Sequence, residues 1–305
     1  MGTFKSKRLK SLITLLLVII LLLSVAVVLL LNHNSDATSQ DASVATECDD
    51  YVTFLDVGQG DATLITSNNK SVLIDTGTPE SADELCAKLK KMGIGNELEA
   101  IIITHFHDDH TGGADTLTSI FTVKNLIIPD MMNTDNIPNE LHNARRTILA
   151  EEGEVYTAKQ GMTISFGDCV LTILAYFGDQ DDENNRSIFI MAELGGKKFL
   201  FTGDAEKSAE KQLLKEGLNL KCDVLKAGHH GSNSSTNEEL LAAAKPEYSV
   251  ISCGLGNMYS HPGEYLIERL VKSKISFKRT DINGDITSAI HLALLACGVG
   301  PGDEV

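Results

Sequence analysis

Ten residues, Thr104–Gly113 (T-H-F-H-D-D-H-T-G-G), constrain this chain more than any other feature. They follow a continuous apolar run, Ala100–Thr104 (AIIIT), which reads as a strand buried on both faces. Three histidines and two aspartates fall within the six residues from His105 to His110. Such a cluster makes little sense as packing, whereas a loop leaving a strand can aim its imidazoles and carboxylates at one point. Imidazole suits zinc, and aspartate adds a harder oxygen donor that helps a second ion to bind. His105, His107, Asp109 and His110 are therefore read as metal ligands.

The rest of the body alternates strands and helices. Short β-rich runs come first (Val52–Asp56, Ala62–Thr66, Val72–Asp75), divided by Gly or Asn turns. Helices are expected over Leu85–Met92, ending before Gly93, and near Leu141–Glu151. Strands Thr163–Phe166, Cys169–Ala175, Ser187–Leu194 and Phe199–Thr202 follow, then helix Ala205–Glu216 and strand Val224–Ala227. Helix Glu238–Ala244, strand Ser249–Ser252, helix Tyr265–Lys272 and strands Phe277–Thr280 and Ile286–Leu292 close the domain. Each half carries strands followed by helices, an α/β order compatible with a four-layer sandwich. No short-period repeat or low-complexity segment is present.

The N-terminus is different in kind. Leu12–Leu31 is almost wholly Leu, Ile and Val, and no formal charge falls between Ser11 and Ser35. As a helix this run spans roughly 30 Å, the thickness of a bilayer core. It exceeds the roughly 7–15 apolar residues of a cleaved signal peptide. The best small-residue cleavage site, Ser43-Val44-Ala45, lies far downstream. An uncleaved transmembrane signal anchor over residues 11–31 is expected. The basic segment 1–10 (Lys5, Lys7, Arg8, Lys10) places the N-terminus in the cytoplasm, so the expected location is the cell membrane, single-pass, with the body extracellular. Residues 32–49 read as a linker, 50–297 as the folded domain and 298–305 as a tail. Beyond the span stand 22 basic and 42 acidic residues, a net of −20, so stable duplex DNA binding is not expected. Six scattered cysteines, with no Cys-x-x-Cys pair, specify no disulfide.

The H-x-H-x-D-H cluster at a strand end closely resembles the signature of the metallo-β-lactamase superfamily, and the resemblance runs from Tyr51 to Leu292. F-L-D-V-G-Q-G-D-A-T-L-I at 54–65, L-I-D-T-G at 73–77 and F-T-G-D at 201–204 fit it, as do K-A-G-H-H-G-S at 226–232 and N-M-Y-S-H-P at 257–262. The combination resembles the branch containing the C-terminal domain of the competence protein ComEC and stand-alone relatives, and is also similar to phosphorylcholine esterases. The resemblance implies a four-layer αβ/βα metallo-β-lactamase sandwich, here preceded by one N-terminal transmembrane helix.

It also implies a ligand set. His105 and His107 match the pair that binds the first metal, Asp109 and His110 the pair that binds the second, and Asp204 the bridging aspartate. His229 matches a late histidine ligand, and His230 a ligand or substrate contact. No histidine lies between 143 and 228, where many members carry another ligand; His230 is one candidate to fill that role. Asn184-Asn185-Arg186-Ser187 stands there instead, so Asn185 and Ser187, with Ser232, are expected to bind substrate. Two divalent ions, zinc by ligand type with manganese as the alternative, would activate a bridging water. Asp109 would orient it and take its proton, while a histidine at 229, 230 or 261 would serve the leaving oxygen. Asp109, His230 and His261 are thus the candidate catalytic residues. The branch points to an anionic phosphodiester substrate, DNA or an envelope polymer. The alternative is a non-enzymatic, metal-stabilised extracellular accessory module of a competence or envelope assembly.

Overall fold

The computed structural model describes residues 50–131, 137–178 and 182–289. The expected span at 11–31, the linker and the tail lie outside them. Among the described residues, no helix is long and apolar enough to cross a membrane. The first half holds β1 (Tyr51–Phe54), β2 (Thr63–Ser67), β3 (Lys70–Ile74), β4 (Glu97–Leu98), β5 (Ala100–Ile102), β6 (Thr122–Val123), β7 (Asn125–Ile128) and β8 (Glu154–Thr157). The second holds β9 (Thr163–Phe166), β10 (Cys169–Ala175), β11 (Phe189–Leu194), β12 (Lys197–Phe201), β13 (Val224–Lys226), β14 (Tyr248–Ile251), β15 (Ser276–Arg279) and β16 (Ile286–Ala289). The helices that matter here are α1 (Ala82–Lys91), α2 (Asp108–Thr111), α3 (Ala114–Ile120), α4 (Asn139–Ala150), α5 (Lys207–Lys215), α6 (Glu238–Ala244) and α7 (Glu264–Lys272).

Two seven-stranded mixed sheets form, in the orders β16-β1-β2-β3-β5-β7-β8 and β15-β14-β13-β12-β11-β10-β9. Strand periodicity explains why they stack. Val72 and Ile74 of β3 join a core shared with Phe199 and Phe201 of β12, so alternate residues of the two sheets face each other. The intervening Leu73 and Ile101 pack on Leu85, Leu89, Leu117 and Ile148 of the helices covering the first sheet. Leu200 and Leu225 likewise meet Leu213, Leu240 and Leu266 over the second. Three apolar layers therefore separate four structural layers, αβ/βα. Phe54 and Phe201 meet across the central layer at 6.0 Å, a ring pair worth about 1 kcal/mol beyond its burial.

Strands β3, β5, β7 and β8 run parallel in one sheet, and β12 to β15 in the other. Parallel strands end on the same side, so the loops after β3, β5, β12, β13 and β14 supply the residues of a common site, as in open α/β sheets generally. The sequence reading did not assign β7, β8 or α3. It expected a helix from Ala205, whereas α5 begins at Lys207 because Asn185 Oδ1 accepts the backbone N–H groups of Glu206 (3.0 Å) and Ala209 (3.3 Å).

Candidate metal centre

The loop after β5 is held by its neighbours rather than by a helix of its own, since α2 spans only four residues. Thr76 donates its backbone N–H and its hydroxyl to the carbonyl of His110, at 2.7 and 2.9 Å. The N–H of Asp61 reaches the Asp109 carbonyl at 3.1 Å. This approach explains the Thr-Gly-Gly that follows: a Cβ on Gly113 would sit 2.3 Å from the Thr76 carbonyl oxygen. At the base, Asp75 accepts from the Thr104 N–H (2.7 Å) and hydroxyl (2.8 Å), and its Oδ2 faces His110 Nδ1 at 2.8 Å. That contact fixes the ring so that His110 Nε2 points inward, the arrangement a carboxylate gives a metal-binding histidine.

The inward atoms converge. Asp204, just beyond β12, places Oδ1 3.3 Å from His110 Nε2 and Oδ2 3.3 Å from His230 Nε2. The same Oδ2 lies 3.9 Å from His229 Nε2 and 4.0 Å from His105 Nε2. His105 Nε2 and His107 Nδ1 are 3.0 Å apart, and His230 Nε2 lies 3.0 Å from Asp109 Oδ2. One carboxylate thus faces four imidazoles. His229 and His230 adopt left-handed backbone conformations (φ 50° and 52°), a strain that turns two neighbouring rings towards Asp204.

These residues fit divalent cations. His110 Nε2, His230 Nε2 and Asp204 Oδ1 are buried without a hydrogen-bond partner, which is costly unless something else satisfies them. Ligand atoms of Asp61, His110, Asp204 and His230 all lie within 4.8 Å of one another. Without an ion, protons take its place on these rings. Burial works against charging His110, but the carboxylates of Asp204, Asp75 and Asp109 outweigh it and lift its pKa well above the usual value. His230 behaves alike, lifted by Asp204 and Asp61 against the effect of burial. Burial and the positive charge of His110 hold His105 well below the usual range, so it stays a neutral donor. Despite burial, the charges on His110 and His230 keep Asp109 ionised, with a pKa of about 2.

The expected ligands His105, His107, Asp109, His110, Asp204, His229 and His230 are all brought to this one place. The structure gives the expected substrate contacts different partners. Asn185 is buried and caps α5, and Ser187 is buried with its hydroxyl accepting the Asp204 N–H at 2.9 Å. Neither lines the cavity. Its neighbour Asn184 does, with Nδ2 3.5 Å from His229 Nε2, because the tight turn at 184–186 sends adjacent side chains opposite ways. Ser232 bonds Ser234 Oγ at 2.9 Å and stands outside the cavity wall. His261 lines the cavity, and burial together with the nearby His229 and His230 pushes its pKa down to about 4. The cavity, about 730 Å³, opens over Asp204 between Thr78, Asn184, His229 and Tyr259.

Sequence reasoning missed two supports. Glu206 places Oε1 3.3 Å from His229 Nδ1 and accepts from Ser234 Oγ at 2.9 Å. Lys226 is a lysine in the otherwise apolar strand end Val224–Ala227, and that misplaced charge was the available signal; it is buried in an ion pair with Asp61. Further out, buried Glu210 accepts the N–H groups of Thr236 and Asn237 and so shapes the loop after His230. Burial pushes its carboxyl from 4.5 up to about 7. Between those values the native state binds the extra proton, so stability falls as pH rises from 4.5 towards 7 and then levels off. The expected loss is about 3 kcal/mol. Urea midpoints of chelated protein at both ends of this window should converge on those of Glu210→Gln at one end and part at the other; parallel curves would contradict this.

The sequence pattern of the metallo-beta-lactamase superfamily matches residues 55–132 and 178–255. ComE operon protein 3 of Bacillus subtilis is 34% identical over 255 residues, covering 77% of this chain and 32% of the relative. Competence protein ComA of Neisseria gonorrhoeae is 32% identical over 235 residues, covering 76% of this chain and 31% of the relative. The chain therefore spans about a third of the length of these relatives. Among solved structures, the metallo-beta-lactamase fold protein YhfI from Bacillus subtilis superposes with a TM-score of 0.55 at 12% identity, over 79% of this chain and 100% of that one.

Proposed function

Because the chain belongs to the metallo-β-lactamase superfamily, in its ComEC-like branch, we propose that it is a membrane-anchored extracellular metal-dependent hydrolase of phosphodiester bonds. The observation that carries this reading is the single carboxylate of Asp204 facing four imidazoles, with Asp109 alongside. His105, His107, Asp204 and His229 would hold one ion; Asp109, His110, His230 and Asp204 would hold the other. Zinc is the first choice from the imidazoles, and manganese suits the added carboxylates. Such ions supply Lewis acidity and lower the pKa of water.

The protein's own residues do the rest. Asp109, whose Oδ2 lies 3.0 Å from His230 Nε2 beside the Asp204 carboxylate, is placed to orient the attacking water and accept its proton. Neutral at pH 7, His261 contacts the substrate's oxygens. Glu206 Oε1 lies 3.3 Å from His229 Nδ1 on the outer side of the ring, with Nε2 turned towards Asp204 and the place of the ion. The net charge of −20 beyond the apolar N-terminal run makes a short or single-stranded phosphodiester a better fit than a duplex.

One observation favours the alternative, a metal-stabilised accessory module without turnover: no histidine lies between 143 and 228, and Asn184-Asn185-Arg186-Ser187 stands in that interval before Asp204. The test is hydrolysis of a chromogenic phosphodiester by the full chain, chelated and then reloaded with zinc or manganese. Turnover restored by metal is expected. Stoichiometric metal binding without turnover would sink the hydrolase reading in favour of the module.

A further inference from the structure

The loop from Leu255 to His261 reaches one lip of the cavity with Asn257, Met258, Tyr259 and His261, and exposes apolar side chains. Leu255 is 84%, Met258 87% and Tyr259 62% exposed. Such exposure normally marks a loose loop, but this one is pinned. Asn257 Nδ2 donates to the carbonyls of Gly254 (2.9 Å) and His261 (2.6 Å), while its Oδ1 accepts from the N–H groups of Tyr259 (3.2 Å) and His261 (2.9 Å). Gln59 Oε1 ties the Gly254 N–H across to the other sheet's loops at 3.0 Å. The backbone that carries Met258 and Tyr259 is therefore held in place, which lowers the entropy cost of ordering the loop on binding.

The rings also form a ladder. Tyr259 stacks on His261 at 5.7 Å with planes 26° apart, and His261 lies 6.4 Å from His230 at 24°. Three successive rings, each tilted by about a quarter of a right angle from the next, thus lead from beside the Asp204 carboxylate out to the mouth. A planar group laid on Tyr259 continues that stack. Between Cys253 and Gly263 there is no Asp, Glu, Lys or Arg, so recognition there rests on faces and not on charge. In a duplex the base faces are already covered; only an unpaired base offers one.

We propose that this loop is a recognition platform, with Tyr259 the specificity-determining residue that stacks on an unpaired nucleobase adjoining the phosphodiester to be cleaved. The inference rests on the hydrolase reading above and adds the group that the site selects. It is tested with three p-nitrophenyl phosphodiesters sharing one leaving group, whose other arm is thymidine, methyl or choline. The full chain, loaded with metal, should prefer the thymidine ester over the methyl ester in kcat/KM. Tyr259→Ala should cut that preference about tenfold, and Tyr259→Phe should retain it. Equal kcat/KM for the thymidine and methyl esters, or an undiminished preference in Tyr259→Ala, overturns the platform while leaving the hydrolase reading intact. A choline ester favoured over thymidine overturns the nucleobase assignment. Failure of wild-type protein to cleave any of the three overturns both readings.

Discussion

Asp204→Asn should bind less metal than the wild-type chain and lower the proposed phosphodiester hydrolysis by on the order of a thousandfold, since a metal-assisted step draws several kcal/mol from the ion it uses. Asparagine keeps the shape but offers one neutral oxygen where two charged ones now face His110 at 3.3 Å and His230 at 3.3 Å. It cannot serve both halves of the centre. The backbone there keeps one anchor in the variant, because the Asp204 N–H donates to Ser187 Oγ at 2.9 Å independently of the carboxylate. Metal content per chain, measured by elemental analysis after gel filtration, separates this outcome from misfolding, and a melting curve of the chelated protein provides the control. A variant that holds its full complement of metal and turns over normally would remove Asp204 from the centre.

Much of this centre was legible in the sequence because it rests on short, local geometry. His105 to His110 follow the apolar run of β5 with no room to wander, so their convergence could be read from spacing alone. Asp204, His229 and His230 are reached only through the resemblance of F-T-G-D and K-A-G-H-H-G-S to the superfamily, since nothing in the local pattern around them marks a ligand. What escaped depends on contacts between distant segments. Strand β7 is only Asn125–Ile128, and β8 is an edge strand with mostly exposed residues, so neither carries a period long enough to register. Helix α3 (ADTLTSI) mixes threonines and isoleucine that disfavour helix in isolation, and forms because Ala114 and Leu117 pack on the first sheet. Asn184 and Asn185 are chemically identical neighbours; only the turn that seats Asn185 against α5 decides which one meets the cavity.

The buried pair Lys226–Asp61 yields the largest expected effect on stability. Lys226 ends β13 in one sheet, and Asp61 follows the β1–β2 turn of the other, so their contact ties the sheets together directly beneath the histidines. Burial opposes both charges, yet each holds the other ionised: Lys226, with help from His230, brings Asp61 from 3.8 down to about 2, and Asp61 with Asp204 raises Lys226. Lys226→Met keeps the volume and removes the cation, leaving a buried carboxylate without its main partner. The expected cost is about 3–5 kcal/mol, which for a domain of this size lowers Tm by roughly 10 °C. Because the folded pKa of Asp61 lies below its unfolded value, its contribution is complete above pH 3.8 and fades as pH falls towards 2. The gap between wild type and variant, measured on chelated protein, should therefore be wide at pH 7 and close in acid. Adding Asp61→Asn should recover part of the loss, since it removes the stranded charge. If Lys226→Met melts with the wild type at pH 7, the pair is not a strut between the sheets, and the lysine's place in the strand end requires another cause.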